Sequence, residues 1–546
     1  MLRFMSCASL HSSSDAAIPA GLDVQSLRKA VAAKDLSIAA LQDQLASAQR
    51  RIEWFKRQMF GAKSERFAPL PDPQQMHLGQ IMDAGQVAGV DDSAPSAVAP
   101  EVKVSGHQRR ARKTDFADDG LEASFFDAAK VPVQIIHVAN PVTAGLTPEQ
   151  YEVIGQKVSH RLAQRPGSHV VLKYVRPVVK LLSTQEISAP AAPVGVLEGS
   201  RADVSFIAGM MVDKFAWHLP LYRQHQRLQA QGFRLSRQWL TQLMQDGAGL
   251  LEPIYEAQMA SIRASRVVAM DEVPIKAARV APGKMGSAYF WPIYGELEEV
   301  CFPFFESRRK EHVAQALGLQ RMPNAVLLSD GYAAYDRYTS QAGVTHALCW
   351  AHTRRCFFEA KGAEPEFAAQ ALTQIAALYR IEEEIREQKL QAQAKRMHRL
   401  LYSKPRVDAF FAWVDAQFER QGLLPSNPLT KALAYARERR SGLEVYLSDE
   451  QVPIDTNHLE RALRVIPMGK KAWLFCWTEL GAKQAGILQS LIVTCRLHNI
   501  DPYTYLVDVL QRVAVQPASK VAELTPRLWK QHFAAEPMKS DCHSNA

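Results

Sequence analysis

Cysteine is scarce and unpatterned. The seven residues (Cys7, Cys301, Cys349, Cys356, Cys476, Cys495 and Cys542) include no Cys-x-x-Cys pair. An odd, scattered set argues against a disulfide framework and fits a reducing compartment. It also offers no local spacing from which a cysteine-based zinc site could be built. Long apolar runs are missing too: none reaches the roughly 18 residues of a spanning helix, so no membrane association is expected. The opening MLRFMSCASLHSSSD has one arginine and a short, serine-diluted apolar patch. It lacks the make-up of a signal peptide, and residues 1–21 read as a disordered leader.

What is present points elsewhere. The chain has 546 residues, 47% of them hydrophobic, too many for one ordinary core, so two to four domains are expected. Lys and Arg number 65 against 56 Asp and Glu, a net charge of +9. Such a balance suits an anionic partner such as nucleic acid without proving one.

Residues 22–66 carry apolar side chains at alternating spacings of four and three, interrupted at Lys34 and Ala48: Leu27, Val31, Ile38, Leu41, Leu45, Ile52 and Phe55. The spacing predicts a leucine-zipper-like dimer helix, although one amphipathic helix packed on its own domain has the same pattern. Its end is basic, with Arg57, Lys63 and Arg66 as candidate DNA contacts. Residues 67–114 read as a linker carrying a second basic cluster, Arg109, Arg110, Arg112 and Lys113. Short alternating runs over 115–200 predict a small β-rich module, and 201–262 turns helical. Within it, YRQHQRLQAQGFRLSRQWLTQLMQ predicts a helix, a turn at Gly232, a Ser236 cap and a second helix ending near Gln245. That is helix-turn-helix-like, but helices joined by glycine occur in any helical subdomain.

From residue 263 the order of elements is β-β-β-α-β-(α)-β, carried by RVVAMDEVPIK, SAYFWPIYGEL, EVCFPFFESRR, RKEHVAQALGL, AVLLSDGYAAYD and THALCWAHTRR. This order predicts a multidomain α/β protein with a ribonuclease-H-like mixed sheet over 263–500. Asp271 and Asp330 each end an apolar run. A carboxylate there is costly unless it binds a cation or strong donors, although each can equally cap its turn. A further acidic group lies in PIDTNHLERALRVIPMGKKAWLF, where Asp455 or Thr456 caps a helix. Asn457, Glu460 or Arg461, and Arg464 then share a face, leading to Lys470 and Lys471.

The segments FKRQMFGAKSERF, HLPLYRQHQRLQAQG, MDEVPIK, LLSDGYAAYDRY, CWAHTRRCFFEA and IDTNHLERALRVIPMGKKAWLF together resemble the insertion-sequence-66 family of bacterial transposases. The resemblance implies an Asp-Asp-Glu active site of Asp271, Asp330 and Glu460, with Asp455 in reserve. It implies two Mg2+ or Mn2+ ions on those carboxylates and phosphoryl transfer on DNA: cleavage at the element's terminal inverted repeats, then attack on target DNA. Arg355, Arg461, Arg464, Lys470 and Lys471 then become phosphate contacts, with His352 and Asn457 behind the carboxylates. Trp350 reads as a core residue rather than a base-stacking one. The stretch from Arg355 to Leu447 reads as a helical insertion, and 501–546 as a C-terminal helix and tail. Expected partners are DNA, a second copy or more in the DNA complex, and small accessory proteins of the same element, in a bacterial cytoplasm close to the nucleoid.

One departure stands out. The family's segment before the helical region usually carries paired cysteines of a zinc-finger-like module. Residues 117–183 here have none, and His137, His160 and His169 are too widely spaced to rebuild it. No structural zinc is expected, but instead an apolar core or loss of that module's function. A transposase-derived DNA binder or repressor without chemistry is the competing reading.

Overall fold

The computed structural model describes residues 125–543, apart from 128, 166, 282 and 420–423. The heptad helix and both N-terminal basic clusters lie outside the described residues. Among those described, no helix is long and apolar enough to cross a membrane.

The β-rich module consists of β1 (Val133–His137), β2 (Tyr151–Arg165), β3 (Ser168–Leu181) and β4 (Ile187–Ser188). β2 and β3 form one long antiparallel hairpin, β1 runs parallel to β3, and β4 pairs with it on its edge. The hairpin turns at Gly167, whose φ of 83° suits glycine. Alternation along β3 buries Val171 against the main core and Val170, Leu172 and Tyr174 in a second apolar cluster that Cys542 completes. The C-terminal tail, to which the sequence pattern assigned nothing, is tied here. Tyr174 Oη donates to Asp541 at 2.8 Å, and Ser540 Oγ to Asp203 at 2.5 Å. His169 is hydrogen-bonded to Gln231 at 2.6 Å, and the His160 ring lies 5.7 Å from that of Phe126.

Three helices follow, Val204–Phe215, Leu221–Ala230 and Arg237–Arg263. The glycine turn (Gly232 φ 98°) and the cap from Ser236 Oγ to Trp239 N are present as expected. The second helix does not end near Gln245; it continues for 27 residues. Apolar spacing persists through Leu251, Ile254, Met259 and Ile262, all buried. Each such side chain contributes about 1.5–3 kcal/mol by burial, so this helix belongs to the core and cannot be withdrawn into a DNA groove. Its first turn is exposed at Arg237 and Gln238, and later exposed residues, such as Pro253 and Glu256, are scattered along one side.

The central sheet has the order β12-β11-β5-β8-β9: β5 is Val267–Met270, β8 Ile293–Gly295, β9 Val300–Cys301, β11 Val326–Ser329 and β12 Thr345–Leu348. β5, β11 and β12 run parallel, while β8 is antiparallel to β5 and to β9. A second sheet, β10-β7-β6, is made of β6 (Val273–Ala281), β7 (Lys284–Phe290) and β10 (Phe304–Phe305). The first three expected strands are thus each two strands shared between sheets. Two of the breaks fall at Pro292 and Pro303, which lack the N–H that a continuous ladder needs. The remaining break is at Asp271–Glu272, between β5 and β6. The expected strand THALCWAHTRR ends at Leu348, and its His352 and Arg355 sit on the helix Trp350–Glu359.

The insertion is helical: Pro365–Glu387, Ala392–His398, Lys404–Phe418, Pro428–Glu438 and Arg440–Ser448. A π-helical turn, Arg399–Ser403, interrupts it. Buried Arg399 pairs with Glu382 at 2.8 Å and donates to the carbonyls of Tyr446, Asp449 and Val452. The chain then returns through Asn457–Leu463 and Val465–Trp473 to the long helix Glu479–Leu497, which packs on Arg237–Arg263.

Candidate active site

β5 and β11 are parallel neighbours with Ala269 opposite Leu328. Two residues further on, Asp271 and Asp330 therefore leave the same C-terminal edge side by side. Each begins a turn. Asp271 Oδ1 accepts from Glu272 N at 2.7 Å, and Asp330 Oδ1 from Tyr332 N at 3.0 Å. The turn-capping role open in the sequence is real, but it uses one oxygen of each carboxylate.

Glu460 is returned to this edge across the insertion. The end of β12 grips the segment before its helix. Trp350 N donates to Ile454 O at 3.1 Å, and Thr456 donates to Cys349 Sγ through both N and Oγ1 at 3.3 Å. Burial pushes the Cys349 thiol up to about 11, so it acts as an acceptor and not as a nucleophile. Asp455, buried, caps the helix by accepting from Asn457 N at 3.0 Å and Asn457 Nδ2 at 2.5 Å. Asn457 therefore supports Asp455, not Glu460 as its helical spacing suggested. Trp350 is a core residue; its indole N–H donates to Leu443 O at 2.9 Å.

Glu460 is half-buried, with His352 Nε2 3.9 Å from its Oε1. That is too long for a hydrogen bond. Oε1 of Glu460 and Nδ1 of His352 are both shielded from solvent and have no hydrogen-bond partner. A shielded carboxylate oxygen without a donor is costly, and it leaves Glu460 an oxygen able to take a cation. Asp271 is pushed up to about 7, chiefly by burial and further by the charges of Glu272, Asp330 and Glu460. The three carboxylates thus share one electrostatic neighbourhood, the environment a divalent cation relieves. Among the described residues no three or more His, Cys, Asp or Glu groups close on a ready-made cage. Magnesium does not require one, since it keeps several waters and takes one or two carboxylates with substrate phosphate.

Several groups in the site had no sequence signal beyond their residue type. Glu272, with only 5% of its side chain exposed, is paired with Arg308 and accepts from Tyr335 Oη at 2.7 Å. The Arg308 guanidinium lies 4.2 Å over the Tyr332 ring. Arg439, at the end of the insertion, donates to Gly331 O beside Asp330. The Asp-Glu pair at 271–272 was the only visible hint of this clamp. Of the expected DNA contacts, Arg355, Arg461, Arg464 and Lys471 are exposed and Lys470 is half-buried. Arg57, Lys63, Arg66, Arg109, Arg110, Arg112 and Lys113 lie outside the described residues.

These features define a mixed α/β protein whose sheet edge gathers carboxylates beside an excess of cations. Residues 199–484 match the model of the Transposase IS66 family, 490–527 that of the IS66 C-terminal element, and 47–121 one described as Transposase C of IS166 homeodomain. The chain belongs to the IS66 family of transposases. Among its relatives, the uncharacterized protein y4hP of Sinorhizobium fredii is 27% identical over 522 residues, covering 90% of each chain. The uncharacterized protein y4jD of the same organism is 29% identical over 506 residues, covering 88% of this chain and 94% of that one.

Proposed function

We propose that this chain binds the terminal repeats of an insertion element and catalyses divalent-metal-dependent strand cleavage and strand transfer. The observation that carries this reading is the register of β5 and β11, which sets Asp271 beside Asp330 on the edge to which Glu460 is returned. The strand order β12-β11-β5-β8-β9, three parallel strands flanked by an antiparallel pair, supports reading the core as ribonuclease-H-like.

Asp271, Asp330 and Glu460 would hold the metal, with Mg2+ or Mn2+ favoured by an all-oxygen donor set. The chemistry that such a pair of ions would supply there is activation of the attacking oxygen and stabilisation of the leaving one. The protein's own share is placement. Arg355, Arg461, Arg464, Lys470 and Lys471 hold phosphates, while His352 lies beside Glu460 without a hydrogen bond to it. The candidate contacts Arg57, Lys63, Arg66, Arg109, Arg110, Arg112 and Lys113 all fall within the homeodomain match, which supports end binding there. The 22–66 helix is assigned to dimerisation, and the site of action to the bacterial nucleoid.

The test is Mg2+-dependent nicking of DNA carrying the element's ends. Asp271→Asn, Asp330→Asn and Glu460→Gln should each abolish nicking while leaving end binding largely intact. Nicking that survives in any one variant removes that residue from the site. End binding without nicking in the wild-type protein would make the chain a binder or repressor instead.

A further inference from the structure

A second feature lies beside the carboxylates. Between 461 and 483 the chain carries Arg461, Arg464, Lys470, Lys471 and Lys483 against the single carboxylate Glu479. Between 273 and 290, along the β6–β7 hairpin, it carries Lys276, Arg279 and Lys284 and no carboxylate. The two segments touch. Cys476 N donates to Lys276 O at 2.9 Å, Ala278 N to Cys476 O at 3.2 Å, and Lys470 Nζ reaches Pro274 O at 3.5 Å. Residues 475–477 thus lie along the open edge of β6.

A sharp turn sets them there. Leu474 adopts φ 64°, ψ −57°, and Phe475 N donates back to Trp473 O at 2.8 Å. This γ-turn is uncommon for a residue with a side chain. Phe475 and Trp477 then fall on one side of the segment, their rings 4.9 Å apart and edge to face. Trp477 is 65% exposed and Leu474 63%. A large indole left in water, on two touching segments rich in cations that form no ion pair among the described residues, matches an anionic ligand with a flat apolar face. An apolar protein partner would not call for that charge.

We propose that Trp477, backed by Phe475, is a stacking seat for an unpaired DNA base, with Lys276, Lys470 and Lys471 on the flanking phosphates. Single-strand sites combine these two elements, a cationic track and aromatic faces. The seat lies along the strand that leaves the reacting centre: β6 begins two residues after Asp271, and Cys476 pairs with it at Ala277, up to about 20 Å from Asp271 by strand rise. It would hold a strand end that has left the duplex. The inference rests on the reading of this chain as a protein that acts on DNA.

The test titrates the full-length protein against a labelled, mixed-sequence DNA single strand and the same sequence as a duplex. Trp477→Ala should weaken single-strand binding about tenfold and duplex binding much less, while Trp477→Phe stays near wild type. Trp477→Leu keeps apolar bulk without a ring and should behave like the alanine variant, which separates stacking from a packing defect. Single-strand affinity unchanged in both non-aromatic variants overturns the seat. So does a change in sedimentation without a change in DNA affinity, which would assign the surface to a second copy. Wild-type protein that binds neither DNA form overturns the underlying reading instead.

Discussion

Asp271 and Asp330 stand side by side because Ala269 and Leu328, two residues earlier, face each other in parallel strands. Nothing between them is flexible: both strands are fully buried, and each aspartate has one oxygen bound by the backbone of its own turn. The free oxygens are therefore presented by a rigid edge, which is how a cation site is preorganised.

That arrangement makes the metal-free protein sensitive to pH. Asp271 is raised from 3.8 to about 7 by burial and neighbouring carboxylates. Between those values the folded chain holds a proton that the unfolded chain has lost, so stability falls as pH rises through this window. Asp271→Asn removes the dependence. At pH 8 without metal, the variant should be more stable than wild type by about 2 kcal/mol, allowing for partial exposure. At pH 4 the two should unfold together. Urea melts at both pH values check this, and added Mg2+ should raise the wild-type curve alone.

The Glu272 clamp is a positioning device for its neighbour. Arg308→Ala leaves a nearly buried carboxylate with Tyr335 as its remaining partner. Because Arg308 is half exposed, the loss should be about 1–2 kcal/mol in chemical denaturation. The turn carrying Asp271 would loosen, so nicking should fall while DNA affinity changes little.

The helix Glu479–Leu497 lies against the break between β9 and β10. A Cβ on Gly486 would sit 2.3 Å from the carbonyl oxygen of Phe302. Gly486→Ala must push the helix away from this segment and should cost about 1–3 kcal/mol, read as a lowered melting temperature. Gly145, with nothing near its Cβ position but a φ of 84°, should show only backbone strain on the same change.

Arg399 locks the insertion. Arg399→Met strands the Glu382 carboxylate and three carbonyls that the guanidinium now satisfies. The expected loss is roughly 3–5 kcal/mol, seen as early protease cleavage within the insertion.

Much of this was legible in the chain itself. The apolar runs before Asp271 and Asp330, the Ser236 cap, the helical insertion and the core position of Trp350 follow from spacing and residue type. Other features were not. The long β-runs read as unbroken because alternation survives Pro292 and Pro303, although a proline ends the ladder and sends the chain to another sheet. The helix after Ser236 read short because Gly247, Gly249 and Pro253 resemble a stop. Its buried side chains outweigh those local preferences.

The sequence by itself determined the family motifs and their order, the two strand-end aspartates, and the cation-rich segment after Glu460, because each is written in near neighbours. Tertiary structure alone decided which strands lie side by side and that Cys349 and Trp350 draw residues 454–456 back to β12. It also decided that Glu272 is clamped, that the C-terminal tail closes on β3, and that Trp477 faces solvent. Those outcomes depend on register and packing between residues far apart in the chain, and no local period encodes such pairings.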